Sequence, residues 1–164
     1  MKTVIVTAGV IVQEGKVLVA QRREDAPHGL LWEFPGGKVK EGEEPREALR
    51  RELKEELDIE AEVGRIFDAV FHPYPAYPVF LLVYHCRIVK GDPKPLGSLR
   101  LKWVGLRELE RLTMPPADGP IRKRLLEIKS SGYGKGNDAR PVPYRKQPRA
   151  GNRASWPTKG IDNS

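Results

Sequence analysis

Three glutamates in the run Arg51-Glu52-Leu53-Lys54-Glu55-Glu56 are the residues that first suggest chemistry. Positions three and four apart share one face of a helix. On a helix, Glu52, Glu55 and Glu56 crowd one ridge, while Leu53 and Leu57 turn toward a core. Carboxylates so close repel one another, and a hard divalent cation with a preference for oxygen would relieve that repulsion. Ala48 lies one turn before Glu52 and is small enough to admit a neighbouring loop, with Gly36-Gly37 as the candidate. Taken alone, such a helix has a plainer reading as a solvated acidic face with pairs such as Arg51–Glu55.

The remaining reactive residue types carry less. Cys86 is the only cysteine, so neither an intrachain disulfide nor a cysteine-rich zinc site can be built. His72 and His85 have no nucleophile or ligand partner at suggestive spacing and read as structural. Gly36-Gly37-Lys38 is not followed by Ser or Thr and is not a phosphate-binding P-loop. Asp118 precedes Gly119-Pro120 and on local grounds caps a helix.

The elements that must position the acidic ridge follow from hydrophobic pattern. Val4–Val12 is almost continuously apolar and β-branched, as in a strand buried on both faces, and Val17–Arg22 returns as its hairpin partner. That pairing favours a strand over a secretory leader. Leu31–Phe34 reads as a short strand halted by Pro35-Gly36-Gly37. Pro45 opens a helix that runs to about Leu57. Ile59–Phe71 and Val79–Val89 read as strands joined through a proline-rich segment that cannot be a central strand. Leu99–Val104 is a further strand, and Leu106–Leu112 and Gly119–Lys129 are helices. Mixed strands and helices imply a layered α/β sandwich.

Composition sets the outer limits. The chain has 164 residues, 39% apolar and 31% charged, enough for one globular domain. No apolar run approaches the roughly 20 residues of a membrane span. A cytoplasmic location is the expectation. Residues 129–164 carry +6 of the net +7, leaving +1 for the rest. We therefore divide the chain into a domain at 1–129 and a basic, Gly/Pro-rich, disordered tail at 130–164. The tail interleaves Tyr133, Tyr144 and Trp156 with Lys and Arg, a composition suited to weak nucleic-acid contact.

The longer pattern around the glutamates overturns the plain reading. Gly37, Glu43, Arg51-Glu52-Leu53, Glu55-Glu56 and Ile59, at these spacings and preceded by Trp32-Glu33-Phe34-Pro35-Gly36-Gly37, resemble the Nudix box. Asp58 stands where the family usually has Gly, at a helix end that asks for a left-handed backbone. The resemblance runs from Val4 to about Ile128 and is greatest to the MutT type. It implies the Nudix fold, a mixed-sheet α/β/α sandwich with the box as loop–helix–loop. It also implies Mg²⁺ (or Mn²⁺) as cofactor and water attack on a phosphorus of a nucleotide.

Carried over residue by residue, Glu52, Glu55 and Glu56 are the catalytic, metal-binding face, and the Gly37 carbonyl is a further ligand. Glu52 is the candidate general base. Glu43 and Arg51 pair to fix the loop against the helix. Arg22 matches a position that holds phosphate, and Asp118 one that contacts the base. Phe34 joins them as a substrate-binding candidate. MutT-type enzymes commonly place a catalytic Glu shortly before the strand tryptophan, yet Pro95–Trp103 contains no carboxylate. The implied activity is pyrophosphohydrolysis of a nucleoside triphosphate such as 8-oxo-dGTP, in nucleotide-pool cleaning linked to DNA repair, by a monomer or homodimer. The alternatives are a Nudix hydrolase of ADP-ribose, dinucleoside polyphosphate, sugar nucleotide or capped RNA, and a non-catalytic nucleotide-sensing or RNA-binding module.

Overall fold

The computed structural model describes residues 1–130, so the segment from residue 131 onward, with Tyr133, Tyr144 and Trp156, lies outside the described residues. β1 (Val4–Gln13) and β2 (Lys16–Gln21) form the expected hairpin, with Gln13 opposite Lys16. Glu14 and Gly15, at φ 49° and 76°, make its two-residue turn. β3 (Trp32–Glu33) pairs with β2, and β4 (Gly36–Lys38) pairs with β1. α1 (Pro45–Leu57), β5 (Glu60–Pro73), β6 (Pro78–Lys90), β7 (Arg100–Val104), α2 (Leu106–Arg111) and α3 (Gly119–Ser130) follow. A 3-10 turn at Pro116–Asp118 leads into α3.

The sheet is mixed. β1 runs parallel to β6, from Val4 opposite Val79 to Ile11 opposite Cys86, and the other pairings are antiparallel. β5 lies at the edge of the path β3-β2-β1-β6-β5. Its proline-bearing end therefore meets β6 only at the hairpin tip, where Pro73 faces Pro78.

Alternation along the strands separates two cores. Val17, Val19, Leu81 and Val83 pack with Phe34, Leu109 and Ile121 beneath α2 and α3. Leu18, Tyr84 and Cys86 point the other way, onto Leu49, Leu53 and Leu57 of α1. This is the α/β/α sandwich that the resemblance implied, and it fits the layered α/β class read from the mixed pattern. β1 is buried on both faces only from Thr7 to Ile11, because Ile5 and Val12 near its ends are exposed.

One element departs from expectation. Pro35-Gly36-Gly37 does not simply halt a strand, because Gly36–Lys38 is itself a strand, in register with Val6–Ala8 of β1. Glycine makes the pairing possible: a Cβ at Gly36 would lie 2.0 Å from the Thr7 carbonyl oxygen. β1 thus pairs along one edge first with β4 and then with β2. A cleft opens beside the place where these partners change. Among the described residues, no helix is long and apolar enough to cross a membrane.

Candidate active site

α1 is built to hold its ridge still. Pro45 occupies the first turn, and the Glu44 carboxylate accepts the Glu47 N–H at 3.0 Å. Asp58 ends the helix at φ 55°, ψ 41°, with its N–H donating to the Lys54 carbonyl. Leu49, Leu53 and Leu57 are fully buried on the opposite face, each contributing about 1.5–3 kcal/mol of burial.

Arg51 ties this helix to the preceding loop. Its Nε and Nη2 donate to the two Glu43 carboxylate oxygens, each at 2.8 Å, and Nη2 also reaches the Lys38 carbonyl at 3.1 Å. The Arg51 hydrogen bonds, with the Lys40 N–H, hold the Glu43 carboxyl down to about 2. Arg51 Nη1 donates to Glu52 at 2.9 Å and to Glu55 at 3.3 Å.

The three glutamates are not equivalent. Glu52 and Glu56 line a cleft of about 670 Å³, together with Gly37, Arg22, Phe34 and Asp118. The Glu55 side chain is 56% exposed and is not part of that lining. β4 presses directly on Glu52, since a Cβ at Gly37 would lie 2.4 Å from its carboxyl carbon. Burial, then the charges of Glu52, Glu33 and Glu55, push the Glu56 carboxyl up to about 7.

Among the described residues, no three His, Cys, Asp or Glu side chains stand together as a ready-made ligand set. The donor chemistry nevertheless fits a hard divalent cation. Glu56 is half-buried beside the like charges of Glu52, Glu33 and Glu55, which outweigh the opposing charge of Arg22. A carboxylate crowded by like charges in this way is what an oxygen-seeking dication stabilises.

Glu33, a residue that the sequence did not single out, pairs with Arg22 and sets its charge against Asp118. Arg22 Nη1 pairs with Glu33 Oε2 at 2.7 Å, and its Nε donates to the Pro27 carbonyl at 2.6 Å. Burial raises the Glu33 carboxyl above the usual range, with Arg22 opposing the shift. Asp118 is 7% exposed and its carboxyl is pushed up to about 7, by burial first and then by the Glu33 charge, with a Phe34 backbone hydrogen bond opposing. The side chain faces the cleft from the 3-10 turn that leads into α3.

The hairpin tip supplies another wall. Tyr74, Ala76 and Tyr77 line the cleft, and the Tyr74 hydroxyl accepts the Ala117 N–H at 3.0 Å. His72 meets Tyr74 at a tilt, with ring centroids 4.3 Å apart, and His85 meets Phe67 edge-on. Glu33 belongs to the Trp32–Gly37 segment that precedes the Nudix box, and its carboxylate is the signal the sequence offers. Ser98, which also lines the cleft, had none.

Comparison with known proteins agrees with this geometry. The family described as NUDIX domain matches residues 3–125. A CTP pyrophosphohydrolase of Escherichia coli is 34% identical over 80% of this chain and 97% of its own length. An 8-oxo-dGTP diphosphatase of Haemophilus influenzae is 34% identical over 76% of this chain and 93% of its own. The solution structure of the E. coli ORF135 protein superposes with a TM-score of 0.70 at 32% identity, covering 82% of this chain and 96% of that one. A match over most of the chain, with relatives covered almost end to end, leads to one assignment: the chain belongs to the Nudix family, and within it to the hydrolases of MutT type.

Proposed function

We propose that the protein is a Mg²⁺-dependent pyrophosphohydrolase that converts a nucleoside triphosphate to the monophosphate and pyrophosphate, with Mn²⁺ able to substitute. One observation carries this reading. The acidic pair Glu52 and Glu56 and the buried Asp118 line the same cleft, whose volume of about 670 Å³ suits one nucleotide.

Glu52, Glu55 and Glu56 and the Gly37 carbonyl are the groups that would hold the ion. When bound, it would neutralise phosphate charge and make water more acidic. Glu52 is the candidate base, oriented by Arg51 on one side and by β4 on the other. Arg22, steadied by Glu33 and the Pro27 carbonyl, presents a positive charge to phosphate oxygens. Phe34, 3% exposed, gives the cleft an apolar wall.

Asp118 stands between its charged and neutral forms near neutral pH. It can accept from a base N–H or donate to a base oxygen. The relatives are named for CTP and 8-oxo-dGTP, which differ in this respect, so both belong in the test. The protein is incubated with Mg²⁺ and CTP, dCTP, dGTP, 8-oxo-dGTP or ADP-ribose, and pyrophosphate and monophosphate are measured. Release of pyrophosphate from at least one triphosphate is expected. Folded protein that turns over none of them, or ADP-ribose alone, would sink the proposal.

A further inference from the structure

Among the described residues, Ser98 Oγ is the one buried side-chain oxygen or nitrogen with no hydrogen-bond partner. Leaving a buried hydroxyl unpaired costs free energy, and an orphan in a native protein calls for a reason. Ser98 stands in the lining of the cleft.

The segment that carries it is fastened on both sides. Leu96 and Gly97 donate their N–H groups to the Glu56 carbonyl at 3.0 and 3.2 Å, and Lys94 donates to the Leu57 carbonyl at 2.9 Å. Arg23 Nη2 donates to the Leu96 carbonyl at 3.1 Å, and the Leu99 N–H to the Gln21 carbonyl at 2.9 Å. A Cβ at Gly97 would lie 2.7 Å from Glu56 Cγ, so the backbone runs flush against that glutamate. The fold therefore delivers a neutral hydroxyl to the cleft beside Glu56. A single rotation about Cα–Cβ re-aims it.

We propose that Ser98 is a substrate-binding residue whose hydroxyl turns into the cleft and donates a hydrogen bond to the phosphate chain of the bound triphosphate. This rests on the triphosphate reading above. A hydroxyl donor to an anionic oxygen makes a charge-assisted bond. Being neutral, it adds no repulsion beside Glu52 and Glu56.

Ser98→Ala and Ser98→Thr are compared with the wild type in three measurements. These are turnover of several triphosphates with Mg²⁺, affinity for a non-hydrolysable α,β-methylene triphosphate, and melting temperature without nucleotide. Ser98→Ala should lose about tenfold or more in kcat/KM and in analogue affinity. The loss should be similar for every base, because the contact is to phosphate. Its nucleotide-free melting temperature should hold or rise, since the orphan is gone. Ser98→Thr, which keeps the hydroxyl, should retain most activity.

Unchanged kcat, KM and analogue affinity in Ser98→Ala would overturn the proposal, as would a loss confined to one base or one that tracks a lower melting temperature. Should alanine fail to fold, Ser98→Cys, close in size and a weak donor, supplies the same reading. Wild-type protein that hydrolyses no triphosphate would defeat the activity reading instead, and analogue binding would still decide the role of Ser98.

Discussion

Gly37 shows how a single hydrogen atom sets where a carboxylate stands in the cleft. Its backbone does not occupy the left-handed region, so alanine would be tolerated conformationally. What alanine would meet is the Glu52 carboxyl group, 2.4 Å from the new Cβ to its carbon and 2.5 Å to one oxygen. The glutamate side chain is flexible enough to move aside, so the fold survives while the carboxylate shifts. Gly37→Ala should therefore lower kcat about 10- to 100-fold with a small change in melting temperature. Steady-state kinetics beside a thermal melt checks this. Full activity would show that Glu52 need not sit against β4.

At the scale of elements, α1 serves as both scaffold and site. Its buried leucines press into the core formed by Ile59, Val63 and Tyr84, and its acidic ridge is presented on the far side. Leu53 is 1% exposed and adjoins Glu52 in sequence, so packing and chemistry share one rigid rod. Leu53→Ala should cost about 2–5 kcal/mol, read from urea denaturation. A cost well under 1 kcal/mol would mean that the helix is not held by this face. α1 was legible in the sequence because Pro45, the leucine period and the end at Asp58 all agree locally. β4 was not legible, because Gly36-Gly37-Lys38 has no strand propensity of its own. Its pairing is imposed by the free edge of β1, some 30 residues away.

At the scale of the whole molecule, a buried acid links the cleft to stability. The Asp118 carboxyl titrates near 7 in the folded protein, against an ordinary 3.8. Between those values the folded state binds more protons than the unfolded state, so stability falls as pH rises through the window. The penalty is absent below about pH 4 and complete above about pH 7. Asp118→Asn keeps an acceptor for the Phe34 N–H and cannot ionise. In metal-free, nucleotide-free protein it should exceed the wild type by about 1–3 kcal/mol at pH 8, with the gap closing by pH 4. Urea midpoints at pH 4, 6 and 8 test this, and a gap constant with pH would refute it. Glu43 behaves in the opposite sense. Its carboxyl is held at about 2, so the stability from its pairing with Arg51 is present above pH 4.5 and is lost as pH falls toward 2.

The residue order by itself determined the acidic helix, the β1–β2 hairpin, the layered α/β class and membership of the Nudix family. Each depends on spacing within a short stretch or on a motif spanning some 25 residues. Only the tertiary structure decided which glutamates matter to the cleft. Helical periodicity puts Glu52, Glu55 and Glu56 on one side, but Gly37 and Gly97 pack against Glu52 and Glu56 and leave Glu55 outward. The pairing of Arg22 with Glu33 and the orphaned hydroxyl of Ser98 were likewise beyond the pattern. Burial and hydrogen bonding depend on what packs from elsewhere in the chain, and no local spacing records that.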